Sequence, residues 1–315
     1  MLRIAPGWRP CKARPVAAAF ELLQARLERR VDPAAWQTFA RTLEGLRPTR
    51  ARERSANHAA LQPLLSAFSG AARLLGRAPL DAEDETIPGP HEEVPLAGFS
   101  VDIAARCLLL LAFAEAAGGA QLEDGVWSAY REGDTLEKIA VVRSLPLLSE
   151  QAQFLELSLD AGRTNDARLF RAVACDTPFP ARHYPELEWN KLFMKAAFVR
   201  APLDRIVGLA RRENPELARM ALEFIEEQES AGRPFPPGIW LGIAPFPPPG
   251  AVAKMLGYAS HSVAEVRLGA IAGLLRASQP RTESFLRERL TVESDASARD
   301  ALARCLERLN GVAKN

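Results

Sequence analysis

The sequence predicts an all-α protein, a HEAT- or armadillo-like helical-repeat solenoid with a further helical segment at its N-terminus. Apolar residues recur at three- and four-residue spacing along most of the chain, which is typical of amphipathic helices. No stretch shows the strict alternation of apolar and polar residues that indicates a half-buried strand. Three segments in the C-terminal third also share one pattern of residues, which favours a repeated unit.

Composition and charge exclude several classes of protein. The chain has 315 residues, of which 48% are hydrophobic and 25% charged, as in globular proteins with a sizeable core. Its net charge of +1 gives no general attraction for nucleic acid, so we expect no nucleic-acid partner. The cysteines lie far apart, which favours free buried thiols in a reducing compartment over disulfides or a metal site; they are Cys11, Cys107, Cys175 and Cys305.

The sequence favours a cytoplasmic protein without a membrane span. The first fifteen residues contain prolines and arginines but no apolar run, so we expect no signal peptide. The most apolar segment, Val101 to Ala117, contains Asp102, Arg106 and Glu115. It is also shorter than the roughly 20 residues that cross a bilayer. We therefore predict a helix that is buried on most sides.

Residues 1–78 form the predicted N-terminal helical segment. Val16 to Arg29 is rich in Ala and Leu and predicts the first helix. A second begins at Asp32-Pro33, because Asp accepts hydrogen bonds from free amides and Pro fits the first helical position. Asn57 to Arg77 predicts a third helix.

Residues 79–98 are acidic and rich in proline, and we predict an exposed linker or mobile loop. His91 stands beside Glu92 and Glu93 in this segment. A metal site is not expected there, because no second histidine follows at ligand spacing.

Residues 99–315 form the predicted repeat domain. Its first helices are expected at Val101 to Ala117, Leu122 to Arg131, Leu136 to Leu145, Glu150 to Ala161 and Ala167 to Ala174.

The repeated pattern starts at Asn214 (NPELARMA), Ser262 (SVAEVRLG) and Ser294 (SDASARDA). Each segment opens with a capping residue, has an arginine five residues later and a small residue two positions further. These residues are Arg219, Arg267 and Arg299, followed by Ala221, Gly269 and Ala301. In our interpretation the small residues let paired helices approach closely, and each arginine pairs with a carboxylate or carbonyl of an adjacent repeat. Chance similarity in a chain rich in Ala, Arg and Leu is the alternative.

A polar cluster accompanies the helix predicted from Glu186 to Val199, whose apolar residues face nearly every direction. The candidate ligand- or partner-binding residues here are Arg182, His183, Glu186, Glu188, Asn190 and Lys191. They could form a site with His183 as acid or base, a glutamate as its partner, and Arg182 or Lys191 for an anion. We favour a structural joint whose charges satisfy one another, because no nucleophile accompanies the single histidine. We assign no catalytic residue, metal ligand or cofactor.

The proline-rich segment Arg233 to Val252 supplies two further candidates, Trp240 and Phe246. Its apolar side chains could contact a hydrophobic ligand or a membrane enzyme. Alternatively, the segment connects repeats and packs its aromatic residues onto the helices.

Two segments resemble the bacterial EboA family of metabolite-traffic proteins. They are TPFPARHYPELEWNKLFMKAAFVRAPLDRIVGLARRENPELARM, Thr177 to Met220, and GDTLEKIAVVRSLPLL, Gly133 to Leu148. Trp189 and Lys191 stand where the family pattern has Phe and Gln. The resemblance implies a protein encoded beside a prenyltransferase-like membrane enzyme and metal-hydrolase-like proteins, which together move a lipid-like or aromatic precursor towards the cell envelope.

Two functional hypotheses follow. The first is a non-catalytic helical-repeat accessory protein that binds or scaffolds in this traffic, with co-encoded proteins and a hydrophobic metabolite as partners. The second is an enzyme acting through His183, Glu186 and Glu188. We prefer the first, because the chain contains no GxSxG, HExxH, P-loop or GxGxxG motif.

Overall fold

The computed structural model describes residues 16–47, 61–244, 246–277 and 283–312. These residues are mainly helical, which confirms the predicted all-α class. They fall into two compact units whose boundary in the sequence lies between Tyr184 and Pro185. We call them the N-terminal unit and the C-terminal unit. The three-part division predicted at residues 78 and 98 stays a prediction.

The N-terminal unit contains nearly all of the helices predicted for it. Its elements are α1 (Val16–Glu28), α2 (Pro33–Leu46), α3 (Leu61–Leu75), β1 (Thr86–Pro88), β2 (Glu93–Pro95), α4 (Val101–Ala116), α5 (Gly119–Glu132), α6 (Thr135–Ser144), α7 (Leu155–Gly162), α8 (Ala167–Ala174) and α9 (Phe179–His183). Short 3-10 turns at Leu145–Leu147 and Gln151–Phe154 lie between α6 and α7. The predicted start of the third helix at Asn57 lies outside the described residues, as does Cys11.

The C-terminal unit is also helical. Its elements are α10 (Glu186–Phe198), α11 (Leu209–Arg212), α12 (Pro215–Ser230), α13 (Trp240–Ile243), α14 (Ala251–Tyr258), α15 (Ala264–Ala277), α16 (Glu283–Val292) and α17 (Ala296–Val312), with 3-10 turns at Leu203–Arg205 and Pro237–Ile239. The side chain of Cys305 lies outside the described part of α17.

Capping residues set the starts of several helices, and the cap of α2 is one that the sequence predicts. The Asp32 carboxylate accepts hydrogen bonds from the amides of Ala34 and Ala35 at the start of α2. At α6, Asp134 and Glu137 form a reciprocal capping box. Each such cap stabilises its helix by about 1 kcal/mol, because it satisfies amides that have no partner within the helix.

Helix α4 forms the centre of the N-terminal unit. Every residue from Val101 to Phe113 is buried, and α1, α2, α3 and α6 pack around the helix. Its two central charges pair with each other, since Arg106 donates to the Asp102 carboxylate at 2.5 Å. Arg106 also donates to the Phe68 carbonyl at 3.0 Å. This arrangement confirms the predicted buried helix.

Across the described residues, every helix falls short of the length and hydrophobicity needed to span a membrane.

The exposure predicted for residues 79–98 is wrong. The segment forms an antiparallel hairpin of β1 and β2, in which Ile87 and Val94 pair and are each 1% exposed. Its acidic residues are mostly on the outside, and its few apolar residues all point inward. The composition hides this pattern, because a three-residue strand is too short to show period-two alternation.

Arg143 of α6 fixes the end of this hairpin. Its guanidinium donates to the carbonyls of Pro95 and Ala97, both at 2.9 Å, and on another side to those of Cys175 and Asp176. Such charge-assisted hydrogen bonds are stronger than neutral ones. One buried arginine therefore joins the hairpin to the turn that follows α8.

In the C-terminal unit, glycines of α15 allow the proline-rich segment to approach the backbone of this helix closely. A Cβ atom added at Gly269 would lie 2.2 Å from the Pro237 carbonyl oxygen, and one at Gly273 would lie 2.8 Å from the Trp240 Cβ. The proline-rich segment therefore packs directly on the backbone of α15. This contact explains the small residue of the repeated pattern at position 269.

The repeated arginines have two kinds of environment. Arg267 donates to the carbonyls five and six residues before it, and Arg299 does the same at the start of α17. Arg267 also pairs with the buried carboxylate of Glu293, at 2.6 and 2.8 Å. Arg219, in contrast, is exposed and pairs within α12 with Glu216 and Glu223.

Candidate functional site

The predicted polar cluster divides between the two units. Arg182 and His183 lie at the end of α9 in the N-terminal unit. The C-terminal unit contains the others, all on α10: Glu186, Glu188, Asn190 and Lys191.

His183 is half-buried, and its hydrogen-bond partner was not predicted from the sequence. Its Nε2 atom lies 2.9 Å from Oε1 of Gln151. The other end of this amide, Nε2 of Gln151, donates to the Pro146 carbonyl at 2.7 Å, so Oε1 must be the acceptor for His183. His183 therefore carries its proton on Nε2, and Nδ1 keeps the lone pair.

Burial, together with the positive charges of Arg182 and His91, lowers the pKa of His183 to about 4. The pKa of His91, on the β1–β2 hairpin, is also lowered by burial and then by Arg182. His183 is consequently a neutral imidazole at pH 7, and its ring packs at a tilted angle against that of Phe179, with 4.6 Å between the ring centroids. The charge of His91 thus acts on His183, although the two histidines lie far apart in the sequence.

The polar residues of α10 have distinct environments. Glu186 and Lys191 are exposed, and Lys191 pairs with the half-buried Glu188 at 2.9 Å, three residues away on the helix. This pairing is among those that the sequence spacing predicts. A pair this exposed contributes little to stability.

Asn190 is buried and forms a reciprocal amide pair with Asn214. Nδ2 of Asn214 donates to Oδ1 of Asn190 at 2.9 Å, and Nδ2 of Asn190 donates back at 3.2 Å. Asn214 in turn caps α12, because its Oδ1 accepts from the Leu217 amide at 2.8 Å. Asn190 thus orients the residue that starts the next long helix.

The two candidates of the proline-rich segment differ in exposure. Trp240 is fully buried, with its ring against those of Phe235 and Tyr258 at 5.8 and 5.6 Å. Phe246 is 45% exposed. Only Phe246 of this pair therefore presents a large apolar surface to solvent.

A groove between α10 and α12 was not predicted from the sequence. It has a volume of about 490 Å³, which is within the usual range for small-molecule sites. Met194, Phe198 and Phe224 form its apolar part. Its polar lining consists of Lys195, Glu227, Gln228 and Arg233. The apolar residues that face nearly every direction around α10 could have indicated an apolar groove. The same pattern also fits a helix that is covered on all sides, so it did not identify the groove.

The described residues contain no group of three or more His, Cys, Asp or Glu side chains placed to hold a metal ion. Cys107 and Cys175 are both buried, and burial raises the pKa of the Cys107 thiol to about 12. That thiol therefore stays protonated at neutral pH and is a poor nucleophile.

Comparison with known proteins adds one finding. No curated protein and no solved structure gives a significant match to this chain. The profile of a family described as metabolite traffic protein EboA matches residues 20–244, more than two thirds of the chain. The match includes the α9–α10 segment, the Asn190–Asn214 pair and the α10–α12 groove. The chain therefore belongs to the EboA family of metabolite traffic proteins.

Proposed function

We propose that this protein is a non-catalytic accessory protein, which binds an apolar metabolite during its traffic towards the cell envelope. The observation that carries this proposal is the open groove between α10 and α12, in which Phe198 is 74% exposed. A large apolar side chain at the surface favours contact with an apolar partner. The groove lies within the part of the chain that matches the metabolite-traffic family.

The contacts of the polar cluster support structural roles for its members. Asn190 orients a helix cap, and His183 uses its Nε2 proton to bind Gln151. No observation favours the alternative of an enzyme acting through His183, Glu186 and Glu188.

We further propose that the C-terminal unit is built from HEAT-like helix pairs. The matching carbonyl contacts of Arg267 and Arg299 support a repeated helix start, and the Arg267–Glu293 pair supports contact between successive starts. In this proposal the protein acts in the cytoplasm, with the co-encoded proteins, including the prenyltransferase-like membrane enzyme, as partners.

The proposal is tested by purifying tagged protein from its native host and identifying what copurifies. Mass spectrometry should find an apolar small molecule enriched over an unrelated tagged protein from the same host, together with co-encoded proteins. The copurified molecule should remain unchanged on incubation with the protein. Its conversion to a product, or recovery of the protein with no enriched small molecule, would contradict the proposal.

A further inference from the structure

We propose that the α10–α12 groove binds an amphiphilic anion, with the apolar part of the ligand on Met194, Phe198 and Phe224 and its anionic group between Lys195, Gln228 and Arg233. This inference rests on the proposed metabolite-binding function and assigns its ligand class and site.

The groove has an apolar end and a polar end. Met194 and Phe198 are four residues apart on α10 and so lie on one face of the helix. Phe224 of α12 faces the same space and is only half-buried. These three side chains can cover one side of an alkyl chain or an aromatic ring, which gains free energy as its apolar surface leaves water.

Gln228 adds an amide to the polar part of the groove. This side chain is only 9% exposed and lines the groove, four residues after Phe224 on α12. It forms no side-chain hydrogen bond with any residue that the structure describes. Its polar atoms are not among the buried side-chain atoms of the described residues that lack a partner, so the amide is accessible from the open groove. An anionic group in the groove would accept a hydrogen bond from its NH₂ group.

Charge favours an anion over a cation. Lys195 and Arg233 bring two positive charges to the groove, whereas Glu227 brings one negative charge. Glu227 pairs with Arg233 at 3.4 Å, but both side chains are more than half exposed, so this pair is weak. Burial lowers the pKa of Lys195, and a bound anion would favour its charged form.

The test uses decanoate as the probe, with decyltrimethylammonium as a cation of equal chain length. Isothermal titration calorimetry on the full chain should show saturable binding of decanoate and none of the cation. Lys195→Gln and Gln228→Leu remove groups that contact the anion and should each weaken decanoate binding by about tenfold or more. Phe198→Ser should weaken it by a similar factor, because it removes apolar contact.

Two matched controls lie on the same helices but outside the groove. Leu187→Ser removes another exposed apolar side chain of α10, and Arg219→Gln removes another exposed cation of α12. Both should bind decanoate as the wild type does. Circular dichroism and thermal melting establish that every variant is folded. Should a groove variant fail to fold, the other two still decide the outcome.

Several results would overturn the inference. It is wrong if the wild type does not bind decanoate, if the cation binds equally well, or if the groove variants bind as tightly as the controls. Flotation with phosphatidylglycerol vesicles tests a different occupant: vesicle binding that Phe198→Ser abolishes, without decanoate binding, would make the groove a membrane contact. If any of these results is found, an apolar metabolite that copurifies from the host would still support the proposed function. The absence of such a metabolite would then reject the proposed function as well as this inference.

Discussion

At the scale of single residues, several buried polar side chains have specific partners that explain their positions. Asn190 is the clearest case, since its only described role is to exchange two hydrogen bonds with Asn214. Such an amide pair specifies one orientation, because each donor must face an acceptor. From the sequence, Asn190 was among the candidate residues of the polar cluster, but Asn214 was not indicated as its partner.

We expect Asn190→Ala to lower the free energy of unfolding by about 1–3 kcal/mol, because the buried amide of Asn214 loses its partner. Urea denaturation measures this change. Asn165→Ala removes an exposed amide and should change stability by less than about 0.5 kcal/mol. Equal stability of Asn190→Ala and the wild type would reject the structural role.

The lowered pKa of His183 predicts a pH dependence. Between the usual pKa of 6.5 and the folded value of about 4, the unfolded chain binds a proton that the native state does not. Stability therefore decreases as the pH falls through this range. The ring is half-exposed and partly screened by solvent, so we expect a contribution of only about 1 kcal/mol.

His183→Gln measures that contribution. Urea denaturation at pH 7 and pH 5 should show a smaller loss of stability for the variant than for the wild type. His91 remains in both proteins, and burial and Arg182 lower its pKa in each, so these two effects are common to the variant and the wild type. An identical loss in both would mean that His183 titrates normally.

At the scale of elements, one ion pair joins the starts of two helices in the C-terminal unit. Glu293 precedes α17, and its fully buried side chain accepts hydrogen bonds from Arg267 of α15 and Arg289 of α16. Hydrogen bonds from Arg267 lower the pKa of Glu293. The ionised Glu293 carboxylate therefore stabilises the protein fully at any pH above the usual carboxyl pKa. This stabilisation is lost as the pH falls through the lowered pKa that Glu293 has in the folded protein.

Glu293→Ala should destabilise the protein by about 3–5 kcal/mol, because Arg267 remains buried without its carboxylate. The matched control is Glu216→Ala, which breaks an exposed pair of another repeated arginine, Arg219. That change should cost less than about 1 kcal/mol. Thermal and urea denaturation compare the two variants, and equal costs would show that the buried pair does not join the helices.

At the scale of the whole molecule, the division into two units suggests that each folds around its own core. The N-terminal unit surrounds α4, and the C-terminal unit buries Trp189, Phe193, Ile225, Trp240 and Ile271. A domain with its own apolar core can in principle fold alone.

We therefore expect separately expressed fragments of residues 6–184 and 185–315 to be helical and to unfold cooperatively. Circular dichroism with thermal melting measures both properties. A fragment without a cooperative transition would show that its core requires the rest of the chain.

The sequence alone determined most of the long helices, the caps at Asp32 and Asn214, the buried α4 and the family. These depend on local spacing and on residues close together in the chain, and such signals survive without knowledge of packing. Tertiary structure alone decided that Ile87 and Val94 are buried, that His183 binds Gln151 and that Gln228 lines a groove with Phe198. Each of these depends on contacts between segments far apart in the chain, whose meeting is decided by how the helices pack.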